Sequence, residues 1–142
     1  MSSPTDRTLE KSDYERLSRF RYRLRRFLRV SERICQSQDL TPLQYQLLLH
    51  VRGFPERDWA TVGELAERLQ AQHHGVVALL DRCERLGLVE RRPGSLDRRV
   101  VEIHLLPEGE TKLEHIARLH QDELAQLLRE FARGDAQLRD LK

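Results

Sequence analysis

Between Gln72 and Arg82 this 142-residue chain sets out side chains able to read a nucleic-acid duplex. Placed on a helix, Gln72, His73, His74, Val77, Asp81 and Arg82 point outward. Val76, Leu79, Leu80 and Cys83, at i, i+3, i+4 and i+7, form a buried stripe on the other face. A glutamine amide bonds adenine through two atoms, and a small apolar side chain such as Val77 can touch a thymine methyl. A base-reading helix offers its N-terminal residues to the groove, which is where Gln72, His73 and His74 stand. A second basic group, Arg98 and Arg99, follows Asp97 at the tip of a hairpin pattern. An arginine there can enter a narrow, electronegative minor groove. Asp97 would repel phosphate unless it binds an arginine, so it reads as a brace. Plainer readings fit the same residues: a solvated helix face carrying two histidines, and an ordinary charged hairpin tip.

The stretch from Thr61 to Glu108 must position these groups. Thr61 with Glu64 three residues on is a capping box, and Leu65, Ala66 and Leu69 share one helical face. The turn Gln70-Ala71-Gln72 has neither glycine nor proline, so its geometry is not readable. The second helix begins near Gln72 or His73 and stops at Gly87, a residue that tolerates positive φ. Leu88 to Arg92 and Val100 to Leu106 read as paired strands around Pro93-Gly94-Ser95, which is turn chemistry. Val101, Ile103 and Leu105 alternate with Glu102 and His104, the period of a half-buried strand with its apolar members inward. Helix, turn, helix and two-stranded hairpin make a winged helix-turn-helix.

Long helices flank it. Residues 1–11 are polar and expected to fray. From about Ser12 a helix carries Leu17, Phe20, Leu24, Phe27, Leu28 and Ile34 on one stripe. Arg19, Arg21, Arg23, Arg25, Arg26, Arg29 and Arg33 lie between them; these fit a solvated face, phosphate, or the acids of a second subunit. A second helix, Pro42 to about Arg52, has Thr41 as cap and Tyr45, Leu48 and Leu49 as core candidates. Gly53 to Trp59 reads as a loop with Trp59 packed as a lid. Pro107 to about Ala132 repeats Leu113, Ile116, Ala117, His120, Leu124, Leu127, Leu128 and Phe131 at helical spacing; Gly134 breaks the pattern and 135–142 is a tail. A helix projecting from so small a domain cannot bury that stripe within its own subunit, so a homodimer through the terminal helices is expected. The fold class is mainly α with a small β-hairpin wing. It divides into an N-terminal tail and dimerisation helix (1–37), a DNA-binding lobe (38–106), and a C-terminal dimerisation helix and tail (107–142).

Composition narrows the classes. With 34% charged residues and a net charge of +2, only the distribution of charge can announce a nucleic-acid partner. No run approaches the roughly 18 apolar residues of a membrane span, and residues 1–12 lack a signal-peptide core, so a cytoplasmic protein with no membrane partner is expected. Cys35 and Cys83 are expected to remain thiols, although a redox switch is an alternative. No HExxH or Cys/His zinc spacing brings the histidines together. No phosphate-cradling loop, nucleophile elbow or acid–base pair is present. No metal, no cofactor and no enzymatic activity are expected.

Several segments together resemble the MarR family of bacterial transcriptional regulators. That family's wing runs Asp-x-Arg, strand, Leu-Thr-x-x-Gly; here Asp97-Arg98-Arg99 precedes Val100 to His104 and Leu105-Leu106-Pro107-Glu108-Gly109. Leu40-Thr41-Pro42-Leu43-Gln44 resembles its Leu-Thr-x-x-Gln helix opening. Asp81-Arg82-Cys83-Glu84, with Gly87-Leu88-Val89, resembles the end of its recognition helix. The likeness covers roughly residues 15 to 130. Leu106 replaces the usual threonine, losing a hydroxyl cap that typically contributes about 1 kcal/mol, and Cys83 replaces a leucine. His74, Gly75, Val77 and Ala78 stand where serine, threonine or arginine is common, which leaves the base-reading face less polar. The resemblance implies a homodimeric, sequence-specific DNA-binding repressor. It also implies a small aromatic or lipophilic ligand between the dimer helices and the DNA-binding lobe. The DNA-binding residues would be Gln72, His73, His74, Val77, Arg82, Arg98 and Arg99. The apolar, histidine-rich face motivates an alternative, a winged protein-interaction module without DNA reading.

Overall fold

Two helix starts in this chain are set by polar side chains reaching back to the backbone. Thr41 accepts from the Gln44 N–H and Gln44 accepts from the Thr41 N–H, opening α2 (Pro42–Arg52) with a complete capping box. Thr61 and Glu64 repeat it at α3 (Val62–Leu69). The computed structural model describes residues 7–138, the side chains of 134–138 excepted. The expected polar start, 1–6, and the end of the tail, 139–142, lie outside the described residues. The other elements are α1 (Lys11–Ser37), β1 (Trp59–Ala60), α4 (His73–Arg85), β2 (Val89–Pro93), β3 (Val101–Leu105) and α5 (Pro107–Leu138). The fold is mainly helical with a small antiparallel sheet, as expected.

Three of the helix stops follow one scheme. After α1, α3 and α4 the chain turns through a left-handed residue: Asp39 (φ 60), Gln70 (φ 50) and Gly87 (φ 73). At each, the next residue's N–H reaches back to the carbonyl five positions earlier: Leu40 to Cys35, Ala71 to Ala66 and Leu88 to Cys83, all at 3.0 Å. These are Schellman closures. Only Gly87 is the residue such a turn prefers, so the α3–α4 connection had no glycine to mark it.

Two compact units result: Ile34–Arg118, and the rest of the described chain, 7–33 with 119–138. In the first, Leu47, Leu48 and Val51 of α2, Leu65 of α3, Val76, Leu80 and Cys83 of α4, Ile103 of β3 and Ile116 of α5 form one buried cluster. Tyr45 and Leu48 are core residues as expected, but Leu49 is 39% exposed; the buried stripe of α2 runs through Gln44, Leu47, Leu48 and Val51, and Leu49 falls beside it. The sheet has three strands in the order β1-β3-β2, not two. Trp59 and Ala60 pair with His104 and Ile103, so Trp59 is a strand residue and not a loop lid. Gly109 opens α5 directly against β2's approach: a Cβ there would lie 2.1 Å from the Leu88 carbonyl oxygen.

In the second unit, Phe20 packs on Phe131 with ring centroids 5.4 Å apart. Arg23 pairs with Glu130 at 3.3 Å, and Ser31 Oγ lies 2.7 Å from His120 Nε2. α5 continues past Gly134 to Leu138. One helical glycine costs only about 1 kcal/mol relative to alanine, which does not by itself end a long helix. Asp13 is wholly buried, accepting from the Glu10 N–H at 2.9 Å, Arg16 at 2.6 Å and Arg7 at 2.9 Å. Arg7 to Glu10, expected to fray, are thus tied to the first turn of α1. These bonds, led by that of the Glu10 N–H and opposed by burial, hold the Asp13 carboxyl down to about 2.

Two outcomes follow. Gly109→Ala forces backbone apart at Leu88 and is expected to destabilise by about 1–3 kcal/mol, an overpacking cost, read as a lowered urea midpoint with unchanged slope. Because the folded Asp13 titrates below its unfolded value of 3.8, its contribution is complete above about pH 4 and is lost as pH falls through about 2. Asp13→Asn is therefore expected to melt lower than the parent near neutrality, and the gap should close in acid; a gap independent of pH contradicts this.

Candidate nucleic-acid interface

The base-reading candidates sit where helix α4 enters. Gln72 is the N-cap (φ −78, ψ 153), its side chain makes no capping bond, and its carbonyl accepts from the Val76 N–H at 3.1 Å. His73 and His74 are the first two helical residues, and Gln72, His73 and His74 are all exposed. Val77 is half-buried, Arg82 is exposed, and the first turn holds no acidic side chain. Unpaired N–H groups and the helix dipole make such an end attractive to anions. Gly75 is exposed and a Cβ there would meet nothing within 4 Å, so internal packing does not demand a glycine. Val76, Leu79, Leu80 and Cys83 are the buried side of the same helix.

The wing tip is tied at four points. The Gly94 N–H donates to the Val100 carbonyl at 2.7 Å and the Val100 N–H to the Asp97 carbonyl at 3.1 Å. A Cβ on Gly94 would fall 2.3 Å from the Asp97 carbonyl oxygen, so the turn closes only over glycine. Asp97 accepts from the Arg99 backbone at 3.0 Å and from its guanidinium at 3.2 and 3.1 Å. These bonds hold the Asp97 carboxyl below the usual carboxylate range. Arg98 and Arg99 both face solvent, and Arg98 has no ion pair among the described residues.

The fourth tie corrects the strand pattern. Ile103 and Leu105 are buried as the alternation expects, but Glu102 is 6% exposed while Val101 is 42% exposed, the reverse at these two positions. The Glu102 carboxylate turns inward to accept the Ser95 N–H at 3.2 Å and to meet His104 Nε2 at 2.9 Å. The His104 bond, then the Ser95 N–H, lower its pKa against the opposing effect of burial. His104 stacks on Trp59 at 6.3 Å, and the Arg57 guanidinium lies over Trp59 at 3.9 Å and over Phe54 at 4.3 Å. Arg57 also pairs with Glu64 of α3.

A second missed residue joins the helix to the wing. Arg91 of β2 bonds Asp81 at 2.8 Å and Glu84 at 2.6 Å, so Asp81, although its side chain is 48% exposed, is engaged by β2. Asp81 and Glu84, three apart on a helix and followed by an arginine-rich strand, were the available signal. Cys83 and Cys35 are buried thiols, and burial pushes Cys83 up to about 11, the environment of an inert thiol. Among the described residues no helix is long and apolar enough to cross a membrane.

Comparison with known proteins places this geometry. Residues 38–100 match the MarR family. An uncharacterized HTH-type transcriptional regulator, YsmB, from Bacillus subtilis is 38% identical over 71 residues, 50% of this chain and 49% of the relative. The HTH-type transcriptional repressor MdtR from the same organism is 31% identical over 81 residues, 57% of this chain and 50% of the relative. The matches thus span about half the length of these curated relatives. The solved structure of a MarR family protein from Bacillus stearothermophilus is similar over nearly the whole chain. It is 28% identical with a TM-score of 0.76, covering 95% of this chain and 96% of that one.

Removing the clasp tests its role. Arg91→Ala leaves two carboxylates facing each other. The group is partly exposed, so a stability loss of only about 1 kcal/mol or less is expected. The amides of β2 should exchange faster than those of α3; protection of β2 at the parent level would show that the wing does not depend on Arg91.

Proposed function

We propose, from the match of residues 38–100 to the MarR family, that the protein is a sequence-specific DNA-binding regulator of transcription, a repressor, acting as a homodimer on a near-palindromic operator. One observation carries the reading. An uncapped, acid-free helix start and a fastened arginine tip lie in the same 34–118 unit, joined through Arg91. Gln72, His73, His74 and Val77 meet base edges in the major groove, and Arg82 meets the backbone. Arg98 and Arg99 reach the minor groove, with Asp97 as the brace that aims Arg99.

The dimer rests on the other unit. Of its described residues only Asp13, His120 and Leu127 are buried, while Tyr14, Leu17, Phe20, Tyr22, Leu28, Leu119, Leu124 and Leu128 are exposed. So much apolar surface on two long helices fits a second copy. Two recognition helices then enter successive major grooves about 34–36 Å apart. The repressor role is taken from the likeness to a relative named as one. An open groove of about 600 Å³ within the 34–118 unit, lined by Leu40, Leu88 and Pro107 and also by Asp39, Glu108 and Lys112, is the candidate seat for a small aromatic or lipophilic ligand. Such a ligand acts only if it prefers one conformation over another. We assign no metal, cofactor or catalytic step.

A mobility-shift titration on the DNA upstream of the chain's own coding sequence tests this. The expected result is binding that falls steeply with salt through counterion release, weakened about tenfold by Arg99→Ala. Unchanged binding by Arg99→Ala removes the wing assignment. No shift on any duplex, with a protein partner recovered instead, favours an interaction module.

A further inference from the structure

The wing carries a side chain that neither charge nor core packing accounts for. Leu96 is 103% exposed, more than any other large apolar residue described. Its neighbours are fastened: the Ser95 N–H is held by the buried Glu102 carboxylate, and Asp97 by Arg99 and by its carbonyl's bond from Val100. The leucine therefore stands on a stiff turn, not on a loose loop that could fold it away. Arg98 and Arg99 are exposed beside it, Arg99 at 91%.

We propose that Leu96 is an apolar probe of the duplex minor groove, seated between its sugar walls while the adjacent arginines neutralise phosphate. The proposal rests on the DNA-binding reading above and deepens it. Charge complementarity selects this occupant: two exposed arginines, one of them held by Asp97, follow the leucine within three residues, matching a groove whose rim is anionic and whose walls are apolar. A protein surface that accepted the leucine would have to be acidic around it. The minor-groove floor of A·T pairs leaves room for an apolar side chain, whereas a G·C pair puts an amino group there. Leu96 would thus favour A·T pairs under the wing without a hydrogen bond; leucine is among the apolar side chains that enter the minor groove in other binders.

Salt separates this role from that of the arginines. The probe is the footprinted duplex from the upstream DNA, titrated with full-length protein over a range of salt concentrations. Leu96→Ser is expected to weaken binding about 10-fold at every salt concentration, with the slope of log affinity against log salt unchanged; burying a leucine is worth about that much. Arg98→Ala should instead flatten the slope by about 0.9. Pairs under the wing are then changed from G·C to inosine·C, which deletes only the minor-groove amino group. That exchange should strengthen wild-type binding several-fold and leave Leu96→Ser nearly unaffected. Because Leu96 packs on nothing, the variant should melt with the parent. Leu96→Ser binding within twofold of wild type at all salt concentrations, or an equal response of both proteins to inosine, overturns the proposal alone. Failure of the wild type to bind any duplex overturns it together with the reading it rests on.

Discussion

Arg91 is the interaction that ties the wing to the candidate recognition helix. It stands on the second strand and closes on Asp81 and Glu84 of the recognition helix, two carboxylates one helical turn apart. Without it, a thirteen-residue helix and a short hairpin would be joined only by their apolar undersides and the tight turn that links Cys83 to Leu88. An isolated hairpin is marginal in water. Here it gains a third strand at Trp59–Ala60, a buried carboxylate at its tip and an ion pair to the helix. The helix start and the wing tip are thereby held in one frame before any ligand arrives. Ordering them in advance reduces the entropy lost on binding.

Features governed by local chemistry were legible in the sequence. Both capping boxes, the buried stripe of α4, the glycine that ends it and the two principal wing strands follow from residue types at short spacing. What escaped depends on contacts far along the chain. β1 has two residues, too few to show any period. Glu102 sits at an outward position by alternation, and only the Ser95 N–H and His104 make its burial tolerable. Gln70 adopts a left-handed conformation that its type disfavours, because the helix-turn-helix geometry requires the turn there. Gly134 looks like a stop in the sequence, yet one unfavourable residue is absorbed by the helix on either side.

The candidate site divides in the same way. Which side chains line the exposed face of α4 could be read from periodicity, because helical geometry alone decides it. That Asp81 turns to Arg91, and that Arg57 lies between Phe54 and Trp59, could not. The result is a surface of moderate polarity, Gln72, His73, His74 and Val77, proposed to face bases, beside a wing whose tip mixes two arginines with a leucine. Affinity in such an arrangement comes chiefly from charge, and sequence preference from a few groups held at fixed positions. The long helices contribute through the apolar side chains they leave uncovered in one chain, and a second copy covering them would set the spacing between two such surfaces.

Selection of bound duplexes from a random pool tests that arrangement most directly. The account predicts enrichment of an inverted repeat whose half-sites lie about one helical turn apart, with A·T pairs where the wings fall. Enrichment of a single unrepeated half-site, or of no sequence at all, would contradict it.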